Sequence, residues 1–365
     1  MIKRKQKTEK PVVLILAGGK GERFWPRSRE KTPKQMQKVY SGKTLLDETL
    51  LRAKKITTIS RIYIGCNEAL KQAILATHKG ITEENFVVEP EGKNTAPIIA
   101  LAALQLEEKH PGAIQVILSA DHFISTLDEF KKTVKKAVKA AEEGFLVTLG
   151  VRPSRPEIGY GYIESEGKSS HGYHKIASFR EKPGMSVALE YLENGNYYWN
   201  SGIFIWSGKS ILEEFNLYAK NIIDPIHSAL NKKKESALKK AFKGLKSDPV
   251  DIAILEKSKR IVMIPASFVW DDVGSWLSLE RICPADENKN VFVKGSPGSH
   301  MYAKNSSGNI VSSTSEGLVA LLGVKDLIVV EDRDVFFIST RERSGQIKEL
   351  IADLRKNHAL QKFLV

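Results

Sequence analysis

Apolar residues in the first part of the chain follow two alternating rhythms. Short unbroken runs at 12–16, 62–66, 85–89, 113–118 and 145–151 predict buried strands. Between them, apolar positions three and four apart predict helices over 45–56, 68–77, 96–109 and 131–143. The last helix carries Val134, Ala137, Val138 and Ala141 on one face, with Gly144 placed to end it. Such alternation predicts an α/β fold with a parallel, doubly wound sheet covered by helices. Ligands of such sheets gather at the carboxyl ends of the strands.

Past Pro156 the rhythm shortens to turn-bounded strands at 161–164 and 202–206, then a mainly helical stretch over 210–257. From about Asp286 it changes again. Apolar runs at 291–293, 308–311, 318–322, 327–330 and 335–339 recur with turns between them, predicting a small β module. Ile347, Leu350, Ile351 and Leu354 then mark a final amphipathic helix. The expected division is a basic tail over 1–10, a catalytic domain over 11–285 and the β module with its helix over 286–365.

Composition narrows the function classes. No apolar run approaches the roughly 20 residues of a membrane span. Lys3-Arg4-Lys5 before the run at 12–17 imitates a signal peptide, but the run is too short and leads into charge without a cleavage-like site. Cytoplasmic residence is therefore expected. Cys66 and Cys283 lack metal-ligand spacing and read as buried free thiols. The formal net charge of +13 is spread along the chain, without the aromatic interleaving of a nucleic-acid groove. No nucleic-acid partner is expected, and the charge suits phosphorylated small molecules.

The candidate chemistry begins where the first strand ends. Leu16-Ala-Gly-Gly-Lys-Gly-Glu-Arg23 places three glycines, then cations, at a strand's carboxyl end. Gly18, Gly19 and Gly21 can adopt positive φ and carry no Cβ, so backbone N–H groups can face anionic oxygens. Arg23 and Lys34 add mobile charge for the same phosphates. The segment lacks the Gly-x-x-x-x-Gly-Lys-Ser/Thr of a P-loop, and Phe24 stands near where a dinucleotide fingerprint needs its third glycine.

Seven further motifs follow: Pro33-Lys-Gln35, Asn94-Thr-Ala-Pro97, Ala120-Asp-His122, Gly159-Tyr-Gly-Tyr-Ile163, Glu181-Lys-Pro183, Trp199-Asn-Ser-Gly-Ile-Phe204 and Asp272-Val-Gly-Ser-Trp276. In this order the chain resembles the mannose-1-phosphate guanylyltransferases, a branch of the sugar nucleotidyltransferases, over nearly its whole length. The resemblance implies a Rossmann-like, doubly wound mixed sheet with a small C-terminal module of left-handed β-helix type, which often mediates homodimers. It implies transfer of GMP from GTP to mannose 1-phosphate, with Mg²⁺ or another divalent cation held by Asp121 and Asp272. Asp271 precedes Asp272 where the family more often has serine, which leaves two neighbouring acids as ligand candidates.

The same resemblance gives Arg23 and Lys34 to the departing pyrophosphate and Lys182 to the sugar phosphate. Glu181 and Asn200, with backbone around Gly161, fall to sugar hydroxyls. The guanine base falls to Glu89, Asn94 and Thr95 with backbone at Leu16 and Ala17. Asn94 or Thr95 equally suits a helix N-cap, with Pro97 in the first turn. His122 reads as a hydrogen-bonded structural histidine. The rival expectations are a nucleotidyltransferase of different base or sugar preference and a non-catalytic sugar-nucleotide sensor. The chain leaves no room after its last helix for the isomerase domain of larger family members, so no isomerase activity is expected.

Overall fold

The computed structural model describes residues 9–19, 21–168, 172–180 and 182–365. Residues 1–8 of the expected basic tail, and Glu181 among the expected sugar ligands, lie outside the described residues. In chain order the strands are β1 (Val12–Leu16), β2 (Ile62–Cys66), β3 (Phe86–Val88), β4 (Ile114–Ser119), β5 (Phe123–Ile124), β6 (Leu146–Val151), β7 (Tyr162–Lys168), β8 (His174–Arg180), β9 (Tyr197–Ser207), β10 (Ile261–Pro265) and β11 (Trp270–Asp271). Six more complete the chain: β12 (Val291–Lys294), β13 (Ser299–Lys304), β14 (Ile310–Ser313), β15 (Gly317–Leu322), β16 (Leu327–Asp332) and β17 (Val335–Thr340).

Two compact units emerge. Among the described residues, the first comprises those up to Gly18, then those within 51–119 and 125–269; the second takes those within 19–50, 120–124 and 270–365. These units cut across the division at residue 286 expected from the sequence. The chain passes between them at 18/19, 50/51, 119/120, 124/125 and 269/270, and all but the crossing at 50/51 lie beside one of three motifs.

The first unit is built on a nine-stranded sheet ordered β3-β2-β1-β4-β9-β6-β10-β8-β7. β1 lies parallel between β2 and β4, as the alternation predicts. The sheet is nevertheless mixed rather than parallel throughout. β9 runs antiparallel between β4 and β6, and β8 and β7 continue antiparallel beyond β10. The helix Thr95–Lys109 supplies Ile98, Ile99, Leu101 and Leu106 to a core shared with Leu14, Phe204, Trp206 and Phe215. Burying each large apolar side chain there is worth about 1.5–3 kcal/mol. The helix predicted from residue 131 starts earlier, at Leu127, and Gly144 follows its end with φ +94°, the left-handed geometry that favours glycine there.

In the second unit Phe24, Trp25, Val273 and Trp276 pack with Val291, Ile310, Ile328, Phe337, Ile347 and Ile351. The Trp25 indole donates to the Phe363 carbonyl at 3.1 Å, and the Trp276 indole to the Trp25 carbonyl at 3.1 Å. Arg29, buried, reaches the Asp332 carbonyl at 3.0 Å and the Asp334 carboxylate at 2.8 Å. The β module stacks β12, β14 and β16 in parallel and pairs β13 with β15, also in parallel, with β17 antiparallel on β16. Inside it the Asn309 amide donates to Asn290 Oδ1 at 2.8 Å, a ladder contact between successive coils. Cys66 is buried as expected, but Cys283 is only half-buried. Burial pushes both thiols up, to about 12 and about 11, so neither is a nucleophile near neutrality.

Candidate functional site

The second unit carries Gly19, Gly21, Arg23 and Lys34. Gly21 adopts φ +61°, and a Cβ on it would stand 2.4 Å from Lys34 Cβ and 2.9 Å from Ser28 Oγ. Gly21 is therefore a packing glycine, set by the Lys34 stem. Gly19, at φ +98°, has nothing within 4 Å of where a Cβ would be, the open approach that a phosphate oxygen needs. Lys34 is only 5% exposed, yet its Nζ donates to Asp121 Oδ2 at 2.7 Å and lies 5.1 Å from the centroid of the Phe24 ring. Arg23 is exposed on the short 3₁₀ turn Glu22–Phe24.

The two acids are brought to one place by a small antiparallel ribbon, in which Asp271 pairs with Phe123 and Trp270 with Ile124. Asp272 and Asp121 thus lie just beyond the same end of that ribbon. Asp271 itself is buried and chelated by Arg281, at 2.5 Å from Nε and 3.1 Å from Nη2, and it also accepts the Val273 N–H at 2.9 Å. Asp272 accepts the Gly274 N–H at 3.0 Å and stands partly exposed. Val273 between them holds φ +47°, strained for a β-branched residue, while its side chain is buried in the core. His122 Nδ1 accepts the Trp270 indole N–H at 3.2 Å, the structural role expected of it.

The first unit carries the other set. Gly18 has no positive φ, contrary to expectation; its Cβ position lies 3.8 Å from Glu89 Oε1, as does that of Gly92. Glu89, just past β3, is buried, and its Oε2 has no hydrogen-bond partner among the described residues. Burial pushes its carboxyl up to about 7, against a weaker opposing pull from the Lys93 backbone N–H. The Ala17 N–H is committed to the Gly65 carbonyl at 2.9 Å. Asn94, at φ +69°, caps the helix Thr95–Lys109 through the Thr95 N–H at 2.9 Å, and Thr95 Oγ1 accepts the Val250 N–H at 2.9 Å. Asn94 is therefore the N-cap that the motif also suggested, and Thr95 instead ties the start of the helix to the backbone at Val250.

Lys182 is exposed with φ +41°, a left-handed backbone that is uncommon for lysine. The Gly161 carbonyl accepts the Asn200 N–H at 2.8 Å, so two motifs far apart in sequence meet. The Asn200 side chain is held on both sides, by Thr148 Oγ1 at 3.0 Å and Asp251 Oδ1 at 2.7 Å. The sequence reading missed Asp251 and Thr148, because an acid in Pro249-Val-Asp251-Ile and a threonine within an apolar strand carry no local signal.

Among the described residues no cluster of three or more His, Cys, Asp or Glu could cage a metal. Two carboxylates at one end of a ribbon suit Mg²⁺, a hard cation that is commonly bound by one or two carboxylates plus substrate phosphates. No helix among the described residues is long and apolar enough to cross a membrane.

Comparison with known proteins gives a consistent result. The nucleotidyl transferase family model matches residues 12–289, and the MannoseP isomerase/GMP-like β-helix domain model matches residues 303–354. The chain is 35% identical over 354 residues to a mannose-1-phosphate guanylyltransferase of Klebsiella pneumoniae, covering 94% of this chain and 74% of the relative. A mannose-1-phosphate guanylyltransferase of Escherichia coli strain K12 is 34% identical over 96% of this chain and 75% of its own length. A crystal structure described as mannose-1-phosphate geranyltransferase from Thermus thermophilus superposes with a TM-score of 0.87 at 31% identity, covering 95% of this chain and 99% of that one.

Proposed function

The chain belongs to the mannose-1-phosphate guanylyltransferases, and from that membership we propose that it transfers GMP from GTP to mannose 1-phosphate. A sugar-phosphate oxygen attacks the α-phosphorus in line, the bond from that phosphorus to the β-phosphate oxygen breaks, and GDP-mannose and pyrophosphate form. The attacking phosphate is already ionised near neutrality, so no general base is required. The obstacle is charge: each pair of unit charges at about 5 Å costs about 3 kcal/mol at an effective dielectric of 20. Catalysis is then mainly positioning and neutralisation.

Each residue has its part in this reading. Lys34 and Arg23 neutralise the departing pyrophosphate, with Gly18, Gly19 and Gly21 shaping the loop that carries its oxygens. Lys182 holds the sugar phosphate. Asn200, Gly161 and Glu181 take the sugar hydroxyls. Glu89, with Asn94, Thr95 and backbone at Leu16 and Ala17, takes the base; a carboxylate accepts from guanine N1–H and the 2-amino group together. Asp121 and Asp272 would hold Mg²⁺ or another divalent cation, which when bound supplies positive charge to the phosphate oxygens.

The observation that supports the reading is the ribbon whose one end is followed by Asp272 on one strand and preceded by Asp121, the partner of Lys34, on the other. Pyrophosphate release assayed across four nucleoside triphosphates and several hexose 1-phosphates tests it, with EDTA expected to abolish and Mg²⁺ to restore turnover. Preference for UTP with glucose 1-phosphate overturns the assignment of base and sugar, and absence of turnover with every pair leaves a binding protein instead. A homodimer belongs to the same proposal, since Tyr302, Leu318 and Leu322 form an exposed apolar strip on the paired β13 and β15. We also propose that the enzyme works in the cytoplasm.

A further inference from the structure

Asn200 sits where β9 departs from its regular partnership with β6. Thr148 pairs with Phe204 and Gly150 with Asn200, so two steps along β6 face four along β9. Bulges of this kind re-aim side chains next to sites of function. This one is stitched by Ser201 Oγ donating to the Leu149 carbonyl at 2.6 Å, and Gly202 holds φ +66° within it. The bulge turns the Asn200 amide toward Asp251, the first residue of the π-helical turn Asp251–Leu255.

An amide has two ends of similar shape, and its neighbours decide which is which. An ionised carboxylate only accepts, so Asp251 fixes the Asn200 Nδ2 end, at 2.7 Å. The Thr148 hydroxyl can donate or accept and follows that choice, donating to Oδ1 at 3.0 Å, where the Gly202 N–H also points at 3.3 Å. Both acceptor positions of Oδ1 and one N–H are then taken within the protein, and the second Nδ2 N–H is the group left for a ligand hydroxyl. Without the carboxylate the amide can turn over, presenting an acceptor in place of that donor.

Resting on the reading of Asn200 as a sugar-hydroxyl ligand, we propose that Asp251 is a positioning residue for the sugar 1-phosphate: it holds the Asn200 amide in the one orientation that offers an N–H to a sugar hydroxyl. It acts on the sugar through Asn200 and has no part in holding GTP.

The test is a double-mutant cycle on the full chain, with Asp251→Ala, Asn200→Ala and the pair, read as KM for mannose 1-phosphate, KM for GTP and kcat. Asp251→Ala is expected to raise the mannose 1-phosphate KM about tenfold, the scale of one well-placed hydrogen bond, with the GTP KM unchanged. The double variant is expected to be no worse than Asn200→Ala. If Asp251→Ala does not fold, Asp251→Asn, whose carbonyl can still accept, carries the same comparison with a several-fold rise expected. Additive effects in the double variant, or an equal rise in both KM values, overturn the proposal. A normal mannose 1-phosphate KM in Asp251→Ala while Asn200→Ala is impaired also overturns it and leaves the Asn200 reading standing. A normal KM in Asn200→Ala removes that reading and the proposal with it.

Discussion

Asp271 and Asp272 are neighbours of identical chemistry in opposite circumstances. Asp271 is buried against Arg281, and Asp272 faces outward on a strained turn. Asp271→Ala strips the partly exposed Arg281 and the Val273 N–H of their acceptor and should cost about 1–3 kcal/mol of stability. Asp272→Ala should melt within about 1 kcal/mol of the parent, as surface changes do, while turnover falls by orders of magnitude. Thermal melts beside a pyrophosphate assay separate the two. The sequence offers both acids equally, because the discriminating Arg281 comes ten residues later on the short helix Leu279–Ile282. Glu89 gives a prediction in pH. Its carboxyl, raised from 4.5 to about 7 by burial, holds its proton more tightly folded than unfolded. Its contribution to stability is thus full below about pH 4.5 and is lost as pH rises toward 7. Melts of Glu89→Gln should lack that slope. If the ionised carboxylate reads guanine, the KM for GTP should fall as pH rises through about 7 in the parent but not in the variant.

At the scale of elements, the strand ends and glycine turns were the legible part of the site, and the pairing order was not. The helices Leu45–Ile56 and Glu68–Thr77 and the strands β1 and β2 stand where their apolar spacing places them. The antiparallel insertion of β9 between β4 and β6 has no local signature, since it depends on which distant strand pairs with which. β8 and β13 were missed because their side chains alternate between covered and exposed and form no apolar run. Among the glycines, the sequence could not tell an open position from a packed one. Gly21→Ala should cost about 1–3 kcal/mol, because the new Cβ meets the Lys34 stem, and should also lower kcat by displacing that lysine. Gly19→Ala meets no neighbouring atom, though its φ of +98° still strains an alanine. Comparing the two variants by melting and by turnover separates packing from backbone strain.

At the scale of the whole molecule, each unit has its own buried core, and the residues of the proposed assignments are distributed over both. Three of the four crossings nearest the motifs leave a strand end or enter one, so each of these motifs stands at a strand end. The exposed strip on β13 and β15 gives a prediction about assembly. Leu318→Glu or Leu322→Lys should shift sedimentation from dimer toward monomer with little change in melting, since both side chains are largely exposed in the single chain. The contact between Lys34 and Asp121 also bears on the proposed uptake of a divalent cation. On that proposal an ammonium is already seated on Asp121, one of the two carboxylates assigned to the ion, so an arriving cation would enter as its rival. Uptake of the ion and release of the lysine toward a polyphosphate would then be a single exchange, and loading should be tightest when the nucleotide is there to receive the displaced charge.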